Sequence, residues 1–193
     1  MMKKEIKNLS LSAMFLALGL VLPFLTMQIP AIGKMLLPMH IPVLLCGLIC
    51  GWKWGLIVGL IVPLLRSTMF GMPIMYPAAI AMAAELATYG AISGYIYHNM
   101  KYQCVPGVYK SLVAAMIAGR VVWGAAMMII LGVKGGAFTW GAFMTGAIIE
   151  AVPGIILQLI LIPLIMVVLN NAGLIRFRRQ PDDGADNRVL ENN

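Results

Sequence analysis

The stretch MYPAAIAMAAELATYGAISGYIYH, Met75–His98, decides what kind of molecule this is. It is long and apolar enough to cross a bilayer, whose hydrocarbon of about 30 Å needs roughly 20 helical residues. Yet it carries Glu85 near its middle. A carboxylate at that depth costs about 2.5–3.5 kcal/mol even on the most forgiving insertion scale, so an ionisable group there points to a functional site and needs a partner. Two later apolar stretches supply candidates, Arg120 and Glu150.

Working outward from Glu85, the rest of the chain has the same oily character. Its 193 residues are 61% hydrophobic and 11% charged, with a mean hydropathy of +0.92. That composition lies outside the range of soluble domains and predicts an all-α integral membrane protein. The apolar stretches are too long and too many for one signal peptide, so no processing is expected. The net charge of +7 is spread over short segments beside apolar spans, a pattern of membrane orientation and not of nucleic-acid binding. Cys46 and Cys50 lie in one apolar run and Cys104 in a separate loop, which makes no disulfide framework.

Six transmembrane helices are predicted. The first runs from about Leu9 to Thr26 behind Lys3, Lys4 and Lys7, and QIPAIGKMLLP (Gln28–Pro38) then breaks it as a Pro/Gly loop. From Met39 to Met69 the chain is apolar except for GWKWG. Lys53 between Trp52 and Trp54 reads as a surface turn joining two short helices, Met39–Cys50 and Trp54–Met69, with one long helix through Gly51 and Gly55 as the alternative. FGMPIM (Phe70–Met75) is a second Gly/Pro loop, and the Glu85 helix follows. A fifth helix is expected from about Val108 to Val133. A sixth should occupy Gly141–Asn170, kinked at Pro153 and Pro163. Residues 1–8 and the polar tail 171–193 flank the membrane domain 9–170, and the tail is expected to be disordered.

Six spans put both termini on one side. Lys3, Lys4, Lys7, Lys53, Lys101, Lys110, Arg176, Arg178, Arg179 and Arg188 fall there, against Lys34, Lys134 and Arg66 on the other, so the termini are expected in the cytoplasm of a cell-membrane protein.

Counting at about 1.5 Å per residue brings Glu85, Arg120 and Glu150 to one layer: Glu85 is nine residues below Tyr76, Arg120 thirteen before Val133, Glu150 nine after Gly141. Opposite charges at one depth satisfy each other, either as a lock within the bundle or as part of a ligand site. His40 and Arg66 flank the outer loops, where a core histidine and an arginine reaching for lipid headgroups are the plainer readings. Tyr89, four residues after Glu85, and Trp123, three after Arg120, share those helix faces and could wall a planar heterocycle or simply pack. No compact set of metal ligands, G-x-S-x-G elbow or Walker loop is present, so no cofactor or metal is expected and any ATP must be bound by another polypeptide. Ala13 and Ala17, four apart on the first helix, allow another helix close approach.

Six spans in this length, A-x-x-x-A on the first helix, G-W-K-W-G-x-x-x-G between two short helices and Gly/Pro outer loops together resemble the substrate-binding S component of an energy-coupling factor (ECF) vitamin transporter. The resemblance covers about Ser10 to Asn170 and is strongest in LPMHIPVLLCGLICGWKWG. It implies an S-component bundle that binds a vitamin from outside, joins a transmembrane coupling subunit and two ATPases, and topples to release its cargo. Ala13 and Ala17 then match the coupling-subunit contact, the loops Gln28–Pro38 and Phe70–Met75 the lids, and the last three helices the pocket walls. Many members carry an aspartate late in the third helix, whereas this chain has IVPLLRS with Pro63 and Arg66; signatures for thiamine, biotin or cobalt are not seen. The expected substrate-binding set is His40, Arg66, Glu85, Tyr89, Arg120, Trp123 and Glu150. Two carboxylates against one guanidinium favour a pyridoxine- or pyrimidine-like compound, while Arg66 and Lys34 at the entrance suit pantothenate. An intramembrane enzyme using Glu85 and Glu150, and a secondary transporter acting alone, are the competing classes.

Overall fold

The computed structural model describes residues 2–26, 38–132, 152–175 and 177. The loop expected before Pro38, the KGGAFTW loop, Glu150 with the start of the last span, and the tail beyond 177 lie outside the described residues. Among the described residues six α-helices run up and down: α1 (Met2–Val21), α2 (His40–Cys50), α3 (Trp52–Phe70), α4 (Ile80–Asn99), α5 (Val105–Gly132) and α6 (Val152–Asn171). There is no strand among the described residues. The end holding Met2, Gly51 and Asn171 is called lower here, and the end holding His40 and Phe70 upper.

Among the described residues five segments are long and apolar enough to cross a membrane: Glu5–Phe24, Trp52–Phe70, Met75–Asn99, Val105–Gly132 and Val152–Asn171. The short helix α2 has 11 residues and spans only about 16 Å at the usual rise. Ten of those residues are buried. A helix that is apolar all round belongs inside a protein, and α2 is enclosed by α1, α3 and α4. Its backbone is broken from α3 at Gly51, which has φ 99° and ψ 169°, a conformation open in practice only to glycine. The hairpin reading of GWKWG is therefore the one the chain adopts.

Glycine also sets how close these helices come. A methyl group on Gly55 would collide with the Gly90 carbonyl, and one on Gly90 with the Gly55 backbone, so α3 and α4 meet main chain to main chain. Small residues allow this approach where no hydrophobic drive between helices operates. Gly47 of α2 meets Gly90 in the same way.

The upper end of α4 differs from the expected helix start. Tyr76 is extended (φ −119°, ψ 128°), and a widened turn, Met75–Ala79, precedes regular helix from Ile80. Pro77 within that turn has no amide to donate, which explains why the ladder starts late. The Tyr76 hydroxyl donates to the Ile130 carbonyl of α5 at 2.7 Å and fixes the turn there. In α6, Pro163 lies inside the helix and Pro153 is its second described residue. Below, α2, α4 and α6 border a half-open pocket of about 180 Å³ lined in part by Leu48, Tyr97 and Met166.

Candidate functional site

Three buried stripes with a spacing of four residues converge upward on polar groups: His40–Leu44–Leu48 of α2, Glu85–Tyr89–Ser93–Tyr97 of α4, and Val108–Leu112–Met116 of α5, which ends on Arg120. A repeat of four keeps side chains on one helix face, so each stripe is apolar or weakly polar below and carries a strong hydrogen-bonding group above. Glu85 is 1% exposed and His40 likewise 1%. Arg120 Nη1 stands 3.0 Å from Glu85 Oε1, and His40 Nε2 is 3.8 Å from the same oxygen. The His40 ring lies edge-on to Tyr89, with centroids 5.3 Å apart. A methyl on Gly119 would collide with the Tyr89 ring, so glycine next to Arg120 lets α5 lie against that ring and delivers the guanidinium to Glu85.

The ion pair balances charge without completing the hydrogen bonding. Among the described residues, Glu85 Oε1, Arg120 Nε and Nη2, and both ring nitrogens of His40 are buried without a hydrogen-bond partner, as is Gln158 Nε2 on α6. The Arg120–Glu85 contact is close but its N–H is not aimed at the oxygen, and 3.8 Å is too long for a hydrogen bond from His40. Native interiors satisfy the great majority of buried polar groups, so a cluster of orphans calls for an explanation. A molecule bearing both donors and acceptors could complete the set.

The other expected residues lie elsewhere. Arg66, 3% exposed, reaches across to α1: its Nη1 donates to the Leu20 carbonyl at 2.7 Å, and its guanidinium lies 5.1 Å from the Phe24 ring and 5.5 Å from the Phe70 ring. It closes the top of the α1–α3 contact instead of meeting Glu85. Trp123 is half-buried one turn above Arg120. Glu150 lies outside the described residues. Ala13 and Ala17 are exposed on α1 beside Met14 and Leu18, whereas the opposite face is tied down by Ser12, whose oxygen accepts from Cys46 Sγ at 3.6 Å. Gln158 was missed by the sequence reading, because an uncharged amide in an apolar run carries no charge to flag it.

Residues 7–166 match the family described as ECF transporter, substrate-specific component. The chain belongs to that family. No curated protein and no solved structure matches it. An ECF substrate-specific component is a subunit of a transporter, and the family is not one of enzymes. The long apolar helices of this ECF component make it a multi-pass membrane protein.

Proposed function

We propose that this ECF substrate-specific component is a high-affinity capture subunit for a water-soluble vitamin or precursor, pyridoxine- or pyrimidine-like or pantothenate, taken up from outside the cell. In this reading Glu85, Arg120, His40 and Tyr89 hold the ligand together with Glu150, with Trp123 and Arg66 nearer the entrance, and the chain performs no chemistry of its own. A transmembrane coupling subunit docks on the Ala13–Ala17 face, and two ATPases supply the energy, in keeping with a sequence that has no Walker loop. Both termini lie in the cytoplasm in this reading, which the lysines and arginines beside the lower end support.

The observation that supports the reading is the set of buried donors and acceptors around Glu85 that find no partner among the described residues. Mass spectrometry of small molecules released from protein purified in mild detergent tests it. A single heterocyclic or pantoate-like compound near one equivalent is expected. Chemical conversion of that compound by the purified chain, or its uptake into vesicles holding this chain alone, would overturn the proposal.

A further inference from the structure

Arg66 stands apart from the Glu85 cluster, four residues before the end of α3 at Phe70. There, at the upper margin, α3 packs against the widened turn Met75–Ala79. Arg66 Nη1 donates to the Leu20 carbonyl at 2.7 Å, at the end of α1 where helix carbonyls run short of partners. The Phe24 and Phe70 rings meet edge to face with centroids 4.9 Å apart, and the guanidinium lies 5.1 Å from the first and 5.5 Å from the second. Rings attract the charge but leave its hydrogen bonding open. A guanidinium has five N–H donors, and among the described residues the Leu20 carbonyl is the acceptor that Arg66 meets. The residue is 3% exposed, yet its other nitrogens, unlike Nε and Nη2 of Arg120, are not sealed from the outside.

What Arg66 lacks is a counter-charge: among the described residues no carboxylate pairs with it. The sequence leaves little to supply one. Of its seven acids, Glu5 is at the lower end, Glu85 is taken by Arg120, and four lie beyond residue 181. Glu150 remains. Lys34 and Lys134 fall in the segments that join upper helix ends, so even with Glu150 counted there, three cations face one carboxylate. A sheltered charge without a partner is costly, and a guanidinium fork matches the two oxygens of a carboxylate or phosphate. We infer that Arg66 is an oxyanion-binding residue at the upper end of the bundle, whose free N–H edge takes a carboxylate or a phosphate. That chemistry has two sources at this level: a small organic acid arriving at the ligand entrance, or the phosphate of a phospholipid in the adjoining leaflet. The inference goes beyond the capture reading and does not need it, because a lipid phosphate would bind whatever the cargo is.

The test melts the purified full chain, stripped of lipid and small molecules in an uncharged detergent, with two pairs of probes that differ in the oxyanion. One pair is pantothenate and its neutral alcohol pantothenol; the other is phosphatidylglycerol and diacylglycerol. At least one oxyanion should raise the melting temperature by about 3 °C or more near saturation, and its neutral counterpart should not. A shift from pantothenate assigns the site to a carboxylate ligand, and one from phosphatidylglycerol assigns it to a headgroup. Arg66→Met should abolish that shift. Arg66→Lys, which keeps the charge without the fork, should weaken the apparent affinity by roughly tenfold, and it carries the comparison if the methionine variant does not fold. A residue that only ties α1 to α3 behaves differently: its variants melt lower with every probe alike while the oxyanion's shift keeps its full size. That result overturns the inference, as does a parent that responds to neither oxyanion or equally to both members of a pair. The capture reading is judged separately by the molecule that co-purifies, so either can fail alone.

Discussion

At the residue scale, Glu85 and Arg120 show how a buried ion pair can matter for function more than for stability. Removing one partner strands the other, which costs about 3–5 kcal/mol, whereas replacing both by apolar residues of similar volume is often neutral or stabilising. The double variant Glu85→Leu/Arg120→Met should therefore fold in detergent with a melting temperature at or above that of the parent while losing measurable ligand binding. Arg120→Ala alone should lose both. A double variant that still binds would relegate the pair to a lock on the bundle. The charges were legible from sequence because an ion in an apolar run stands out and depth can be counted along a helix. His40 was legible as a position but not as an orphan, since its lack of partners depends on packing between α2 and α4. Gln158 and Gly119 were not legible at all: the first has no charge, and the second matters only because the Tyr89 ring from another helix lies against it.

At the element scale, helix number and order could be read from hydropathy, and the turn at Gly51 from the tryptophan–lysine cluster. The start of α4 could not, because Met75–Ala79 is apolar enough for a helix and only Pro77 hints that the ladder begins later. The α3–α4 seam is the larger omission. Gly55 and Gly59 on one helix and Gly90 and Gly94 on the other carry the small-x-x-x-small spacing, but the alanine pairs elsewhere carry it too, so spacing alone does not single out the seam. Gly90→Ala should cost about 1–3 kcal/mol as overpacking against backbone that no side-chain rotation can relieve, measured as a lower melting temperature. The exposed Ala13–Ala17 face makes the opposite prediction. Replacing both by leucine should leave ligand affinity unchanged and abolish uptake when the chain is reconstituted with its coupling subunit and ATPases; normal uptake would move the docking face elsewhere.

For the whole molecule, orientation can be tested with the protein's own thiols. Cys46 and Cys50 are buried and Cys104 is half-exposed in the lower turn between α4 and α5. A membrane-impermeant maleimide should modify Cys104 in inside-out vesicles and leave it untouched in intact cells, with Cys104→Ser as the blank. Labelling from outside would invert the molecule and put the ligand site at the wrong face for import. The general architecture, a polar layer above an apolar floor within an all-helical bundle, was readable from sequence because it is set by where the few charges fall. Which residues fill the space between them was not, since that depends on the angles at which helices cross.

The joint between α3 and α4 has one more consequence. Main chain lies against main chain there, so that flank contains no rotamers to flip and no slack to take up: it is a rigid back wall. Changes of cargo among related sequences should then be written into α5 and α6, the side of the vessel whose lining is made of side chains and can be recut without moving the frame.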